Sequence, residues 1–176
     1  CYEKKKYVNW DSYDKGNAEQ ALFDVTVTLQ TNQRLISDYG ELYNQPSDAK
    51  HKSKKRVGDF ITNNGVRVEA HSTQESVRGR IYGSQRPDWL ILDDFETNTT
   101  KDSAAITYKI KGHIDEAIAG MSPNASLLYL GNYISDAGSV AHVLNKLKDQ
   151  PKCVARNVPV EKDGVITWPE KYVFTD

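Results

Sequence analysis

The stretch Trp89-Leu90-Ile91-Leu92-Asp93-Asp94-Phe95-Glu96 decides the fold that this sequence predicts. Its apolar run from Trp89 to Leu92 is uninterrupted and stops at two carboxylates. Continuous runs of this kind are typical of strands that are buried on both faces, as in parallel sheets. A second run, Leu127-Leu128-Tyr129-Leu130, stops at Gly131-Asn132. We therefore expect two buried parallel strands whose carboxyl ends lead into polar or small residues.

Helical patterns around these strands predict an α/β domain. Isoleucine recurs at every fourth position between the two strands, at Ile106, Ile110, Ile114 and Ile118, which indicates an amphipathic helix. Another helix is predicted from about Ser139 to Pro151. The alternation favours a mainly parallel sheet flanked by helices. Ligands of such sheets bind beyond the carboxyl ends of the strands, so the site is expected after Leu92 and Leu130.

The residues before this unit predict a strand, a helix and a hairpin. The strand covers 4–10, and the helix begins after an N-cap at Asn17, passes through Ile36 and ends at Gly40. Asn63-Asn64-Gly65 separates two alternating runs, which is a strong signal for a β-hairpin because Asn-Gly tolerates positive φ angles. This hairpin would be an insertion in the α/β domain.

Length and composition fit one globular domain of 176 residues with 38% apolar and 27% charged residues, which disfavours intrinsic disorder. No apolar run approaches the roughly 20 residues of a membrane-spanning helix. The net charge of -1 means that a polyanion would need a local basic patch. Cys1 and Cys153 do not make a disulfide framework, which favours a reducing compartment. Because the chain begins at Cys1 without a methionine or a signal peptide, we expect it to be a piece of a longer protein.

The acidic residues after the first buried strand are the leading site candidates. Nucleotide-hydrolysing α/β domains use one aspartate at such a strand tip to hold Mg²⁺ and a neighbouring carboxylate to orient the attacking water. Asp93, Asp94 and Glu96 fit this pattern. The alternative is a core strand followed by an ordinary polar turn, in which Asp94 or Glu96 caps a local backbone. Gly131-Asn132 would sense a γ-phosphate or would form a turn.

Two basic segments are further candidates. Arg78-Gly79-Arg80 would bind phosphate through planar guanidinium groups, or would be a solvated loop. The run Lys50–Arg56 would contact a DNA backbone, or would be a flexible charged loop. The scattered histidines and cysteines do not have zinc-ligand spacing. The sequence contains no GxxxxGK[ST] and no GxGxxG stretch, so this chain by itself does not form a complete phosphate-loop site.

The order of these motifs resembles the large terminase subunit of tailed bacteriophages. The resemblance rests on Asn64–Ala70, on Ser76–Arg80 and on Arg86–Asp94, which correspond to the family's hairpin, its Arg-Gly segment and its Walker B strand. Three more segments are similar to other parts of that family: 3–44 to the strand and helix after Walker A, Leu127–Ser135 to the coupling motif, and Pro159–Tyr172 to the exit toward the nuclease.

The resemblance implies a partial P-loop NTPase domain of the ASCE or RecA-like type. Residues 1–158 would be the central and C-terminal part of the ATPase domain, and residues 159–176 the exit segment. Carried over by position, Asp93 would hold the metal, and Arg78, Gly131 and Asn132 would contact the nucleotide. Asp94 stands where many members carry glutamate, so either Asp94 or Glu96 would orient the water. Asn132 stands where the family often has threonine.

The family's activity implies an ATP-driven motor that packages double-stranded DNA into a procapsid. Its cofactors would be ATP and Mg²⁺, and its partners the DNA, the portal protein, the small terminase subunit and further copies in a ring. The setting would be the cytoplasm of an infected or lysogenic bacterium, without secretion or a membrane partner. Because Walker A and the nuclease lie outside residues 1–176, this chain by itself is expected to be inactive and to hold no nucleotide tightly.

Two other classes of function remain open on the sequence. Asp93, Asp94 and Glu96 would serve a metal-dependent nuclease, although two-metal sites draw ligands from separate strands. A non-enzymatic α/β domain would bind DNA or a partner through Lys50–Arg56. Salt-sensitive DNA binding that survives loss of the aspartates would be typical of this last class.

Overall fold

The computed structural model describes residues 4–43, 58–97, 100 and 102–169. They fall into two compact units, Cys1–His142 and Val143–Asp176. The elements are β1 (Tyr7–Ser12), α1 (Lys15–Thr31), α2 (Gln33–Tyr39), β2 (Asp59–Ile61), β3 (Arg67–Ser72), β4 (Trp89–Asp93), α3 (Ala104–Ala119), β5 (Ser126–Leu130), α4 (Ser139–Leu147), β6 (Glu161–Lys162) and β7 (Val165–Ile166). Among the described residues, no helix combines the length and the apolarity that crossing a membrane requires.

The first unit is built on a five-stranded sheet in the order β2-β3-β1-β4-β5. Strand β1 is parallel to both β3 and β4, and β5 is parallel to β4. Only β2 is antiparallel, because it pairs with β3 through the turn at Asn63-Asn64-Gly65, where Gly65 has a φ of 80°. The predicted α/β class with a mainly parallel sheet is thus confirmed, as is the hairpin. The prediction that the hairpin is an insertion is wrong, because β3 pairs with β1 and the hairpin is part of the main sheet. The second unit contains the antiparallel pair β6–β7.

Asp88 joins the amino ends of three strands, an arrangement that we call the Asp88 junction. Its buried carboxylate accepts hydrogen bonds from the backbone N–H groups of Lys6 and Tyr7, at 2.9 Å and 3.0 Å. Its backbone N–H donates to the Tyr7 carbonyl, and its carbonyl accepts from the Ser126 N–H, both at 3.0 Å. The entrances of β1, β4 and β5 are therefore held to one another by a single residue.

Helices cover the two faces of the sheet unequally. On one face α3 packs its buried Ile110 and Ile114. On the other face α1 buries Ala18 and Leu22 against Phe60 and Ala70. Beside this cluster an open apolar cavity of about 450 Å³ extends between the sheet and helices α1 and α2.

Strand β5 differs from the prediction of a strand buried on both faces. Leu128 and Leu130 are 39% and 46% exposed, because β5 is the last strand of the sheet. They are in register with Ile91 and Asp93 of β4, and the register of Ile91 with Trp10 puts Leu128 on the α1 side. The apolar run of β5 forms a parallel strand as predicted, but in the described sheet no strand pairs with its outer side.

Local capping explains the remaining differences. The first helix is capped by Asp14, whose carboxylate accepts from the Gly16 N–H, and not by Asn17. It ends at Thr31, because the Asn32 side chain accepts from the N–H groups of Arg34 and Leu35 and starts α2 as a new helix. The predicted end at Gly40 is confirmed, with a φ of 74°.

We predict that Asp88→Ala lowers the free energy of unfolding by about 2–4 kcal/mol, because it leaves one buried and one part-buried N–H donor without an acceptor. Urea unfolding followed by tryptophan fluorescence measures the change. Asp102→Ala, at an exposed position, is the matched control and should stay within about 0.5 kcal/mol. Equal stability of the two variants would contradict a structural role for the Asp88 junction.

Candidate functional site

The candidate site lies at the carboxyl edge of β4 and β5. Asp93 pairs with Leu130 in the parallel register, so Asp93-Asp94 and Gly131-Asn132 leave the sheet side by side. The Asp94 N–H donates to the Leu130 carbonyl at 3.1 Å, which extends the pairing by one residue beyond the strands. The structure thus brings these four predicted site residues to one edge.

Asp93 is partly buried and oriented by the central strand. The indole Nε1–H of Trp10 donates to its Oδ2 at 3.3 Å. Trp10 belongs to β1, which pairs with β4 in parallel register. This hydrogen bond therefore fixes the orientation of the Asp93 carboxylate at the edge of the sheet.

Asp94 is exposed to solvent, unlike the residues on either side of it. It has a φ of 51°, the left-handed region that costs most side chains strain energy but that aspartate tolerates better than most. This turn allows the next residue, Phe95, to enter the core completely, with 0% exposure. The Asp94 carboxylate is consequently at the surface of the edge.

Glu96 is buried and caps a helix. Its Oε1 accepts from the Ser139 N–H at 2.7 Å, at the first residue of α4. A negative charge is favourable there, because the N-terminal N–H groups of a helix carry partial positive charge. A Cβ on Gly138 would lie 2.6 Å from Oε2 and 2.8 Å from Oε1, so the carboxylate fills the space that glycine leaves. Among the described residues, Oε2 has no hydrogen-bond partner.

Tyr129 connects this cap to Gly131. Its hydroxyl lies 2.6 Å from the Ser139 Oγ. Burial raises the pKa of Tyr129 to about 12, with the negative charges of Glu96 and Asp94 adding to the effect, although the bond to Ser139 opposes it. A Cβ on Gly131 would lie 2.9 Å from the Tyr129 ring, so glycine permits this close packing. Asn132 is exposed at the same edge.

Arg78 does not join the other predicted site residues. Its side chain is 79% exposed and its Nη2 pairs with Glu116 Oε1 at 2.9 Å. Glu116 lies twelve residues after Ala104, the start of α3, which is about 18 Å along the helix axis at 1.5 Å per residue. The end of α3 is near the amino edge of the sheet, since the Ser122 N–H bonds to the Pro87 carbonyl just before β4. Arg78 therefore lies on the outside of α3, toward the other end of the strands.

The structure reveals a buried charge cluster that the sequence interpretation missed. Asp11, with 0% side-chain exposure, accepts from the Arg80 Nη1 at 3.1 Å and lies 3.2 Å from the His113 Nε2. The His113 ring in turn packs against Phe95 at 5.9 Å. The missed signal is Asp11-Ser12 directly after Trp10: the predicted strand ends at residue 10, whereas both of these residues extend the central strand.

A second polar cluster lies beside β3, around a cavity of about 340 Å³. Glu69 is its centre and contacts the Tyr7 hydroxyl, Arg67 and His71. Burial would raise the pKa of Glu69, but these hydrogen-bonding and charged neighbours lower it to about 2. Within the described ranges, no three His, Cys, Asp or Glu side chains are arranged to hold a metal ion. Lys50–Arg56 lies outside the described residues.

Comparisons with models of known protein families and with curated protein sequences find no match to this chain. Function is therefore inferred from the residues and geometry of the carboxyl edge.

We predict that Gly138→Ala breaks the contact between Glu96 and α4, because its Cβ would overlap the carboxylate. The expected cost is about 1–3 kcal/mol, together with faster hydrogen exchange at the Ser139 amide. Gly112→Ala is the control: no atom lies within 4 Å of its added Cβ, and alanine in a helix should stabilise by about 0.5–1 kcal/mol. Unchanged exchange at Ser139 in the Gly138 variant would refute the cap.

The free energy of unfolding should depend on pH because of Glu69. The pKa of Glu69 falls from 4.5 to about 2 on folding. Its contribution to the free energy of unfolding is therefore present above about pH 4.5 and is lost as the pH falls toward 2. The difference in pKa corresponds to about 3 kcal/mol in the free energy of unfolding. Urea unfolding between pH 2 and 6 should show this slope, and Glu69→Gln should remove most of it. A parent and variant with parallel pH profiles would exclude Glu69 as the source.

Proposed function

We propose that this chain is the central and C-terminal part of the ATPase domain of a terminase large subunit, the motor that packages double-stranded DNA into a viral procapsid. The observation that carries the proposal is the parallel register of β4 and β5. It puts Asp93-Asp94 next to Gly131-Asn132, the arrangement that a Walker B strand and a coupling motif require. The order of the Arg-Gly segment, the acidic strand and the coupling-like strand along the chain supports the same assignment.

A P-loop NTPase-like sheet would be completed at β5. In the described sheet β5 has β4 on one side and no strand on the other. Its Leu128 and Leu130 also leave an apolar surface on the α1 side of the sheet. A strand, phosphate loop and helix from upstream of Cys1 would pair with this edge and cover these leucines. Burying them would stabilise the complete domain, since apolar surface removed from water contributes about 25 cal/mol per Å².

The residues at the edge fit a magnesium nucleotide. Asp93 would hold the ion, because it is a hard oxygen ligand oriented by Trp10. The bound ion would neutralise charge that develops on the transferring phosphate. Gly131 and Asn132 would lie near the γ-phosphate. Of the two carboxylates that the sequence leaves open, Asp94 is favoured as the residue that orients water, because Glu96 is engaged at the start of α4.

The position of Arg78 favours contact with a nucleotide that a neighbouring copy of the chain binds. It is exposed and lies on the outside of α3, away from the carboxyl edge of its own sheet. In a ring of subunits, such an arginine would reach the nucleotide of the next subunit. Its pairing with Glu116 would not prevent this, since an exposed ion pair contributes little free energy.

Sequencing the native reading frame on both sides of this chain tests the proposal directly. A GxxxxGK[ST] stretch within about 50 residues before Cys1 would supply the missing phosphate loop. An acidic nuclease-like domain after Asp176 would complete the terminase architecture. A start codon directly before Cys1 and a stop after Asp176 would refute the motor. Mn²⁺-dependent plasmid cleavage would then favour the nuclease, and salt-sensitive DNA binding through Lys50–Arg56 the binding domain.

We predict that Asp93→Asn lowers ATP turnover of the intact protein at least about 100-fold, or about 2.7 kcal/mol in the barrier, because an amide holds Mg²⁺ poorly. A steady-state phosphate-release assay measures turnover, and circular dichroism checks the fold. Asp149→Asn, at an exposed position of the second unit, is the control and should leave turnover unchanged. A loss of less than about tenfold for Asp93→Asn would reject its metal role.

A further inference from the structure

The segment from Val77 to Arg80 is fixed on both sides of an exposed arginine. The Val77 side chain before it is buried, at 5% exposure, and the Arg80 side chain after it is 8% exposed. Between them Arg78 is 79% exposed. Gly79 has a φ of 77°, a conformation that lets the chain direct two arginines separated by one residue to opposite sides.

Arg80 is anchored in the centre of the sheet. Its Nη1 lies 3.1 Å and 3.3 Å from the two carboxylate oxygens of Asp11 on β1. His113 of α3 contacts the same carboxylate, so the pair is enclosed between the sheet and the helix. The anchor joins residues that are 69 positions apart in the chain.

A buried ion pair such as Arg80–Asp11 is weak evidence for a stabilising role. Buried ion pairs are often no more stabilising than apolar residues of the same volume, because both charges lose their hydration. Arg80 also has two buried donors, Nε and Nη2, without a partner among the described residues. An incompletely satisfied buried group is costly. What the pair does provide is a fixed contact between the loop and β1.

The loop is also fixed beyond Arg80. Tyr82 and Gln85 exchange backbone hydrogen bonds at 2.9 Å and 3.1 Å. The Tyr82 ring packs against Tyr7 at 6.1 Å. Arg78 is thus carried by a backbone held at several points, while its own side chain extends into solvent.

We propose that Arg80 is a positioning residue, whose ion pair with Asp11 holds Arg78 at the surface for contact with a phosphate bound by a neighbouring copy of the chain. The inference rests on the proposed function. Glu116 would keep the Arg78 guanidinium in place until a phosphate replaces it, since a phosphate accepts stronger bidentate hydrogen bonds.

The test begins with the double variant Asp11→Asn, Arg80→Met. Removing both charges avoids leaving a buried carboxylate unpaired, so the variant is expected to fold. In this chain, hydrogen exchange at the Tyr82 and Gln85 amides, which donate to each other's carbonyls just beyond Arg80, should become at least about tenfold faster, because the anchor is gone. Arg34→Met is the control: it removes an arginine that pairs with Asp38 on α2, outside this loop, and should leave these two amides unchanged.

The second readout is ATP turnover by mixed rings of the intact protein. The double variant alone should lose at least about 20-fold in turnover, as should Arg78→Ala. Mixing the double variant in equal amounts with the Asp94→Asn variant should restore part of the ATP turnover. Half of the sites then keep Asp94 and half of those adjoin an intact arginine donor, so about a quarter of the parent turnover is expected.

The outcomes separate the inference from the function on which it rests. Unchanged amide exchange in the double variant overturns the positioning role, whatever the protein hydrolyses. Loss of turnover that mixing does not restore overturns delivery to a neighbouring copy, because a general folding defect or action within one subunit would not be complemented. A parent protein without ATP turnover refutes the proposed function, whereas the exchange experiment still reports on the anchor.

Discussion

The Asp88 junction is the constraint on which the geometry of the site depends. A parallel sheet has no short turn to set its register, so neighbouring strands must be aligned by contacts between distant parts of the chain. Asp88 supplies them by accepting N–H groups at the start of β1 and by bonding through its backbone to β1 and β5. With the entrances of three strands aligned, their carboxyl ends are aligned as well. Asp93 and Leu130 are therefore neighbours at the site.

Side chains on both faces of the central strand β1 hold other residues in place. Its Trp10 side chain orients Asp93 from one face. The next residue, Asp11, points to the other face and anchors Arg80 beside His113. Adjacent residues of a strand point to opposite sides of a sheet, so two consecutive positions reach two different parts of the proposed motor. A polar residue at the centre of a parallel sheet is uncommon, and here its burial is compensated by an arginine from a distant loop.

Three carboxylates within four residues have three different environments. Asp93 is partly buried and oriented, Asp94 is exposed in a left-handed turn, and Glu96 is buried against a helix N-terminus. The environment of a carboxylate decides its chemistry, so chemically similar groups acquire separate roles. This division supports Asp93 for metal binding and Asp94 for orienting water in the proposed ATPase. Glu96 instead joins the turn to α4.

Local patterns in the sequence determined the element types: the buried run of β4, the isoleucine period of α3 and the Asn-Gly hairpin each follow from spacing alone. They also marked Asp93, Asp94, Gly131 and Asn132 as residues at strand ends. Only the tertiary structure decided that β5 is an edge strand, that Glu96 caps α4, and that Arg80 is buried while Arg78 is exposed. Each of these outcomes depends on a partner far away in the chain, and periodicity carries no information about such partners.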